Sequence, residues 1–505
     1  MRIDSGDTAW VLVASALVLL MTPGLAFFYG GMVRVKSVLN MLMMSFACIA
    51  VVSVLWVLYG YTLAFGTDAG GGLLGDLGHL GMAGTLTGVS GTVPTLAFAS
   101  FQLMFAVITP ALISGAVADR AKFGAWVLFT ALWVTVVYFP VAHWVFFMDH
   151  GHGGWITDRL GALDFAGGTA VHVNAGAAAL ALALVLGRRV GWPRAPMRPH
   201  NLPLVLLGAG LLWFGWFGFN AGSALAANGL AATAFMNTQA ATAAAALAWI
   251  VVERVRQGHC STLGVASGAV AGLVAITPAC AAVNPLGALA VGAVAGAACA
   301  FAISLKYRFG FDDSLDVVGV HLVGGAVGSL LVGLFATSTV TGGVSGLLYG
   351  GGLAQLGRQA VAVAAVGGYS FGMSFGLGTL VDRAVGFRVT QHAEVSGVDL
   401  AIHAEPAYQL AAEPTHRPTA VEHGEQPAGQ PTGQPTGQPT GQPAGPPTRQ
   451  PTGQPVGQRT GRPAGQPVET PEHATQPEQV ARPEPAGNLL PASAADRATR
   501  AGPTR

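Results

Sequence analysis

Apolar and polar positions along this chain fall into long blocks, not short periods. From Ala9 to about Val381, mostly apolar runs recur. Each is about 18 to 25 residues, enough for a helix rising 1.5 Å per residue to cross roughly 30 Å of hydrocarbon. Eleven spans are read, at residues 8–32, 38–65, 95–118, 123–147, 166–187, 202–226, 233–252, 262–280, 284–305, 317–336 and 351–381. Helices are expected because backbone in lipid must satisfy its own hydrogen bonds. The pattern therefore predicts an all-α polytopic membrane protein, and the first span reads as a retained helix because no basic segment or small-residue cleavage site precedes it.

The polar segments between spans set the orientation. With the N-terminus outside, the inner loops hold Arg34, Lys36, Arg120, Lys122, Arg188, Arg189, Arg194, Arg198, Arg254, Arg256, Lys306, Arg308, Arg383 and Arg388, whereas the outer side keeps Arg2, Arg159 and Arg358. Cationic loops stay cytoplasmic, so the N-terminus is predicted outside and the C-terminus inside. Eleven is the count that keeps this asymmetry, since dropping one span scrambles the later loops.

After Gly386 the pattern ends. Residues 385–410 are mixed and predict a short cytoplasmic segment. Beyond them the chain repeats motifs such as "GQPTGQPTGQPTGQPAG" up to Arg505. Such a Pro/Gly/Gln/Thr tract lacks apolar side chains to offset its ordering entropy, so residues 411–505 are expected to be a disordered tail. The predicted organisation is a membrane domain over 1–384, the segment 385–410, and the tail.

Composition adds little that the blocks do not already say: 52% of the residues are hydrophobic, 10% are charged and the net charge is +1. That balance gives no reason to expect a nucleic-acid partner. Cys48, Cys260, Cys280 and Cys299 lie in or beside different spans without CxxC spacing, so neither disulfides nor zinc are suggested. Abundant glycine and alanine, as in "LVGGAVGSLLVG", fit close helix packing in lipid.

The candidate chemistry lies in the few polar residues inside apolar runs, because such groups are costly in hydrocarbon and mark functional paths. Asp164 precedes His172 in the fifth span, and Asp316 precedes His321 at the tenth. Five spans against five, each closing with an acid and then a histidine, is the trace an inverted repeat would leave. The two histidines would then enter from opposite faces and meet near the middle. A neutral imidazole offers one donor and one acceptor, suited to a narrow pore for a small hydrogen-bonding solute. A metal site is the rival reading, but no third or fourth ligand shares their helical faces. The histidines of "DHGHGG" (Asp149 to Gly154) fit a polar loop better. Asp164 could bind a cation or cap local backbone N–H groups; capping is preferred, because a bare carboxylate in a pore would trap a cation. Phe105 and Phe219 sit deeper than an interfacial aromatic belt would, and aromatic faces with the hydroxyl of Ser223 can hold a partly desolvated cation.

Several stretches resemble the ammonium transporter (Amt) family: "TPGLAFFYGG" (Thr22 to Gly31), "GALDFAGGTAVHVNAG" (Gly161 to Gly176), "RPHNLP" (Arg198 to Pro203), "GWFGFNAGS" (Gly215 to Ser223), "FMNTQAATAAA" (Phe235 to Ala245), "ASGAVAGLVAITPACA" (Ala266 to Ala281) and "DDSLDVVGVHLVGG" (Asp312 to Gly325). The resemblance spans about residues 8–390. It implies eleven helices in two inverted five-helix halves plus a final helix, a homotrimer with one pore per subunit, ammonium as substrate and no cofactor. It also implies that Phe105, Phe219 and Ser223, with Trp216 nearby, form the outer recruitment site and phenylalanine gate. Asp164 would shape that site, and His172 and His321 would form the twin-histidine pore pair. Where the family commonly has a tryptophan after the fourth span's histidine, this chain has Phe146, which keeps a π face but lacks the indole N–H. The segment 385–410 resembles the regulatory region to which PII-type signalling proteins dock. An ammonium sensor working through its tail and, more weakly, a carbon dioxide channel are the other readings.

Overall fold

The computed structural model describes residues 2–195 and 197–408; the expectation for the tail 411–505 lies outside the described residues. Among the described residues, ten helices are long and apolar enough to cross a membrane: α1 (Ser5–Met32), α2 (Val35–Phe65), α3 (Thr95–Val117), α4 (Phe123–Phe146), α5 (Gly168–Leu186), α6 (Leu202–Gly222), α7 (Gly229–Gln257), α9 (Pro285–Phe309), α10 (Val318–Phe335) and α11 (Ala354–Val385). Between α7 and α9 lies a shorter apolar helix, α8 (Thr262–Ile276). At 15 residues it covers only about 22 Å. The run read as a span to residue 280 leaves the helix after Ile276, where Pro278 stands in a turn.

Side-chain oxygens placed where free N–H groups need acceptors start several helices. Asn201 caps α6, Asn228 caps α7, Ser261 caps α8 and Asn284 caps α9. Small residues then let the helices touch: a Cβ on Gly208 would stand 2.2 Å from Phe28 N, and one on Gly292 would stand 2.1 Å from Ala241 O. The core is the set of apolar faces turned inward, including the fully buried rings of Trp56, Trp126, Trp133 and Trp216. On the surface, large apolar side chains such as Leu207, Phe214, Leu247 and Val251 face outward, as a lipid-facing bundle requires.

Buried charge holds the loop ends together beneath this bundle. Arg189 spans Asp119 (3.0 Å) and Asp312 (2.9 Å), and the buried Arg120 donates to Ser314 Oγ and to the Asp312 carbonyl. Burial alone would raise the Asp312 carboxyl, but hydrogen bonds from Arg189 and the charges of Arg189 and Arg120 hold it below the ordinary aspartate value.

The chain after α11 is folded against the same loops as two short helices, α12 (Gln391–Ser396) and α13 (Val398–His403). Val389 N donates to Arg120 O and Lys122 N to Phe387 O, each at 2.9 Å. Glu394 pairs with Arg388 (2.7 Å) and accepts from Val190 N (2.6 Å). The Asp399 carboxylate receives the N–H groups of Leu39 and Asn40 at the start of α2, an anion at a helix N-terminus.

Candidate functional site

The site is built around α5. Before that helix, the chain turns through Gly167 at φ +106°, a left-handed conformation that suits glycine. A Cβ there would also press on Val171 Cγ2 at 2.8 Å. The turn lets buried Asp164 face the helix start. Its Oδ1 accepts from Gly167 N (2.9 Å) and Gly168 N (2.5 Å), and its Oδ2 from Thr169 N (2.7 Å), Ala170 N (3.3 Å) and the Thr169 hydroxyl. Each backbone bond satisfies a helix-start donor that would otherwise be orphaned, so the carboxylate is fixed in direction.

Asp164 also lines an outer cavity of about 360 Å³, with Phe105, Phe146 and Ser223. Of its lining rings, Phe105 lies against Phe219, which is not itself on the lining, with centroids 4.2 Å apart and planes tilted by 34°, and Phe146 meets Phe105 edge-on at 6.2 Å. The Phe105 and Phe219 rings are essentially inaccessible to solvent, at 1% and 0% exposure. Ser223 Oγ donates to Phe219 O at 2.8 Å. Its own lone pairs remain for a donor in the cavity.

Below the rings the His172 imidazole stacks 6.0 Å from Phe219, and His321 stacks 5.4 Å beyond it. The two Nδ1 atoms are 3.3 Å apart, one donating to the other. His172 Nε2 is buried with no hydrogen-bond partner among the described residues. Both histidines occupy wide helical turns with i→i+5 bonding, Gly168–Val173 and Val318–Leu322; such turns often accompany functional sites. Past His321 lies a cavity of about 10 Å³ lined also by Tyr29, Met32 and Leu315, barely room for one water. Met32 and Leu315 also line a third cavity of about 260 Å³, with Arg189, Lys306 and Asp316.

Trp216, read with the outer site, does not line the outer cavity. It precedes Phe219 by about one helical turn and so lies deeper, stacked on His172 at 5.4 Å, with its Nε1 donating to Thr277 Oγ1 at 3.0 Å. The acid paired with the second histidine also differs from expectation. Asp316 makes an ion pair with Lys306 at 2.6 Å. It is Asp313 whose Oδ2 accepts from Val318 N at 2.7 Å, as Asp164 does from Thr169 N. Asp313 precedes His321 by the same eight residues that separate Asp164 from His172, and that shared spacing was the available signal.

Two glycines were missed as well. Gly176 and Gly325 each follow a histidine by four residues. A Cβ on Gly176 would stand 2.3 Å from Leu322 N, and one on Gly325 would stand 2.9 Å from Gly168 O and 3.0 Å from His172 Cβ. Each histidine's helix thus crosses the other at a glycine one turn beyond the ring.

The remaining histidine in α4, His143, is fully buried between Ala64 O (3.0 Å) and Asp68 Oδ1 (3.4 Å). In the loop Asp149 to Gly154, backbone N–H groups of Asp149, Gly151 and Gly153 converge on Asp158 Oδ2. Among the described residues no cluster of three or more His, Cys, Asp or Glu could hold a metal.

Comparison with known proteins gives a consistent picture. The model of the Ammonium Transporter Family matches residues 9–408, and one described as a PT disordered repeat matches residues 404–457. The chain is 59% identical over 434 residues to the ammonium transporter of Mycobacterium tuberculosis (strain ATCC 25618 / H37Rv), covering 81% of this chain and 91% of that one. It is 47% identical over 409 residues to that of Bacillus subtilis (strain 168), covering 80% and 98%. Among solved structures it resembles Mep2 of Saccharomyces cerevisiae (TM-score 0.72, 35% identity, 77% of this chain and 88% of that one). It also resembles a sensor Amt protein (TM-score 0.73, 30% identity, 78% and 98%).

Proposed function

The chain belongs to the ammonium transporter family and crosses the cell membrane many times, and from that premise we propose that it recruits ammonium in the outer cavity, strips its proton and conducts ammonia past His172 and His321. The observation that carries the reading is the continuous column from cavity to phenylalanine pair to imidazole pair, with centroid steps of 4.2, 6.0 and 5.4 Å.

Ammonium has four N–H donors and a diffuse positive charge. Ser223 accepts one hydrogen bond, and Phe105, Phe146 and Phe219 offer ring faces whose attraction grows as the cation loses water. Asp164 contributes negative charge at the wall, and its hydrogen bonds to Gly167, Gly168, Thr169 and Ala170 keep it from swinging in to trap the ion. Beyond the gate the path is apolar, so the neutral molecule crosses and the cation does not. His172 Nε2 offers ammonia a partner in the narrowest part. The Nδ1 to Nδ1 contact gives the released proton a route along the pair, which would make transport electrogenic. Potassium has no proton to give up and finds no substitute there for its hydration shell.

The architecture that supports this function has eleven spans, with α8 as the short one, the N-terminus outside and the C-terminus inside. Its halves, α1–α5 and α6–α10, are inverted repeats. The matching Asp, His and Gly positions of α5 and α10 support the repeat, and the inner concentration of lysine and arginine supports the orientation. Three chains assemble with one pore each, and residues 385–410, packed on the inner loops, are the regulatory segment for a PII-type partner. The named relatives at 59% and 47% identity are transporters, which favours transport over sensing.

The test is ¹⁵N-ammonium uptake into proteoliposomes by the native chain and by His172→Ala. The variant should lose flux or selectivity while its oligomeric state is unchanged; unaltered flux and selectivity would reduce the histidines to packing.

A further inference from the structure

The hydrogen bonds of the Asp164 carboxylate reach only three to six residues along the chain. They fix the acid on its own helix, yet the loop and the start of α5 could still shift together against Phe105 of α3 and Ser223 at the end of α6. The tie to the rest of the molecule comes from α11. Gln359, in the second turn of that helix, is fully buried. Its Oε1 accepts from Leu163 N (2.7 Å) and Gln355 Nε2 (3.0 Å), and its Nε2 donates to Leu163 O (2.7 Å) and Ser329 O (3.1 Å). A carboxamide offers two acceptor and two donor positions, and here every one is used. One side chain thus holds both polar groups of the Leu163 backbone, directly before Asp164, and joins them to α10, the helix of His321. Gln355, also buried, donates to Gly161 O at 3.2 Å. On the other side of Asp164, Phe165 N donates to Pro278 O at 3.3 Å.

Resting on the reading of Asp164 as the charged wall of the ammonium site, we propose that Gln359 is a positioning residue for recruitment, setting how far the Asp164 carboxylate stands from the bound ion without touching that ion. Ala162, Leu163 and Asp164 line the outer cavity and Gln359 does not. Removing its amide leaves the N–H and C=O of Leu163 without partners, an expensive state that the loop can relieve only by moving toward water. Such a shift carries the carboxylate with it. Withdrawing a carboxylate by about 1 Å from a cation roughly 4 Å away weakens the attraction about fourfold at an effective dielectric constant of about 20.

The experiment compares the native chain with Gln359→Met and Gln359→Glu in proteoliposomes. It reads the half-saturating concentration and the maximal rate of ¹⁵N-ammonium uptake, together with amide hydrogen exchange across residues 161–170 by mass spectrometry. Gln359→Met keeps the length of the side chain and loses its hydrogen bonds. It should speed exchange in the loop and raise the half-saturating concentration about fourfold. Gln359→Glu is the rescue, because a neutral carboxylic acid can accept from Leu163 N and donate to Leu163 O, whereas a carboxylate can only accept. Its half-saturating concentration should therefore return toward the native value at the same pH on acidification, while that of Gln359→Met stays raised. This variant is compared with itself across pH, so the test holds even where Gln359→Met fails to fold. A lower maximal rate alone, with native half-saturation and native loop exchange, would overturn the proposal and leave Gln359 a packing residue. Faster loop exchange with native half-saturation would instead overturn the reading of Asp164 as a recruiting charge.

Discussion

Replacing Gly176 by alanine tests the crossing that brings the histidines together. The new methyl carbon would stand 2.3 Å from Leu322 N and 2.6 Å from Leu322 Cα. Both are backbone atoms, so no side chain can rotate away. Restoring a contact of about 3.5 Å needs a separation of roughly 1 Å between α5 and α10 at that point. His321 directly precedes Leu322, so the movement reaches its ring, and an Nδ1 to Nδ1 distance of 3.3 Å widens beyond hydrogen-bonding range. Overpacking of this kind costs about 1–3 kcal/mol, enough to lower the thermal midpoint without abolishing folding. Transport should suffer more than stability, because errors of about 1 Å in functional geometry can cost about 100-fold in rate. Gly325→Ala meets its nearest atom, Gly168 O, at 2.9 Å and should be milder. Gly368, which has nothing within 4 Å of its added carbon, supplies the neutral control. The assay is ammonium uptake beside thermal unfolding in detergent. Gly176→Ala with native uptake and native stability would refute the reasoning.

Other substitutions follow from the same geometry. Asp164→Asn turns one acceptor into a donor facing other donors, and losing two or three charge-assisted bonds at about 1.5–3 kcal/mol each should unfold the start of α5; calorimetry with uptake checks it, and an Asp164→Asn variant of native stability and activity would contradict it. Phe146→Trp should tighten the outer site, by less than about fivefold, since indole is the stronger cation–π ring and a whole exposed contact is worth about 0.5–1 kcal/mol, read as a lower half-saturating ammonium concentration. Asp312 has a depressed carboxyl, so its stabilising contribution is present above the ordinary aspartate pKa and is lost as pH falls through its lower folded value. Thermal stability should therefore decline on acidification, and Asp312→Asn, already missing that charge, should show a shallower decline.

Much of the fold is legible in the sequence because crossing lipid demands about twenty apolar residues in a row, a signal that dominates any local propensity. It blurs where that demand relaxes. The run ending at residue 280 looks like a full span, yet α8 stops at Ile276, where Pro278 cannot supply a helical N–H and its carbonyl instead accepts from Phe165 N at 3.3 Å. The span read to residue 252 stops short of the end of α7, since Glu253, Arg254 and Arg256 dilute hydropathy while remaining helical. At the site, residue type identifies His172, His321, Asp164 and the phenylalanines, because polar or aromatic groups deep in apolar runs stand out. Their depth order does not follow from type, so Trp216 reads with the outer cavity although one helical turn puts it against His172. Asp316 reads as the partner acid in place of Asp313 because it lies nearer His321 in sequence. What separates them is a carboxylate aimed at Val318 N against one drawn to Lys306, and that depends on how the loop folds back.

The central claim is that a proton leaves ammonium at the gate, and it is tested most directly by applying equal pulses of ammonium and of potassium to proteoliposomes of the native chain while recording current and internal pH together. Ammonium should change the internal pH, with current if the proton follows along the histidine pair and without it if the proton stays outside, and potassium should do neither. Potassium carrying current as readily as ammonium would contradict the account.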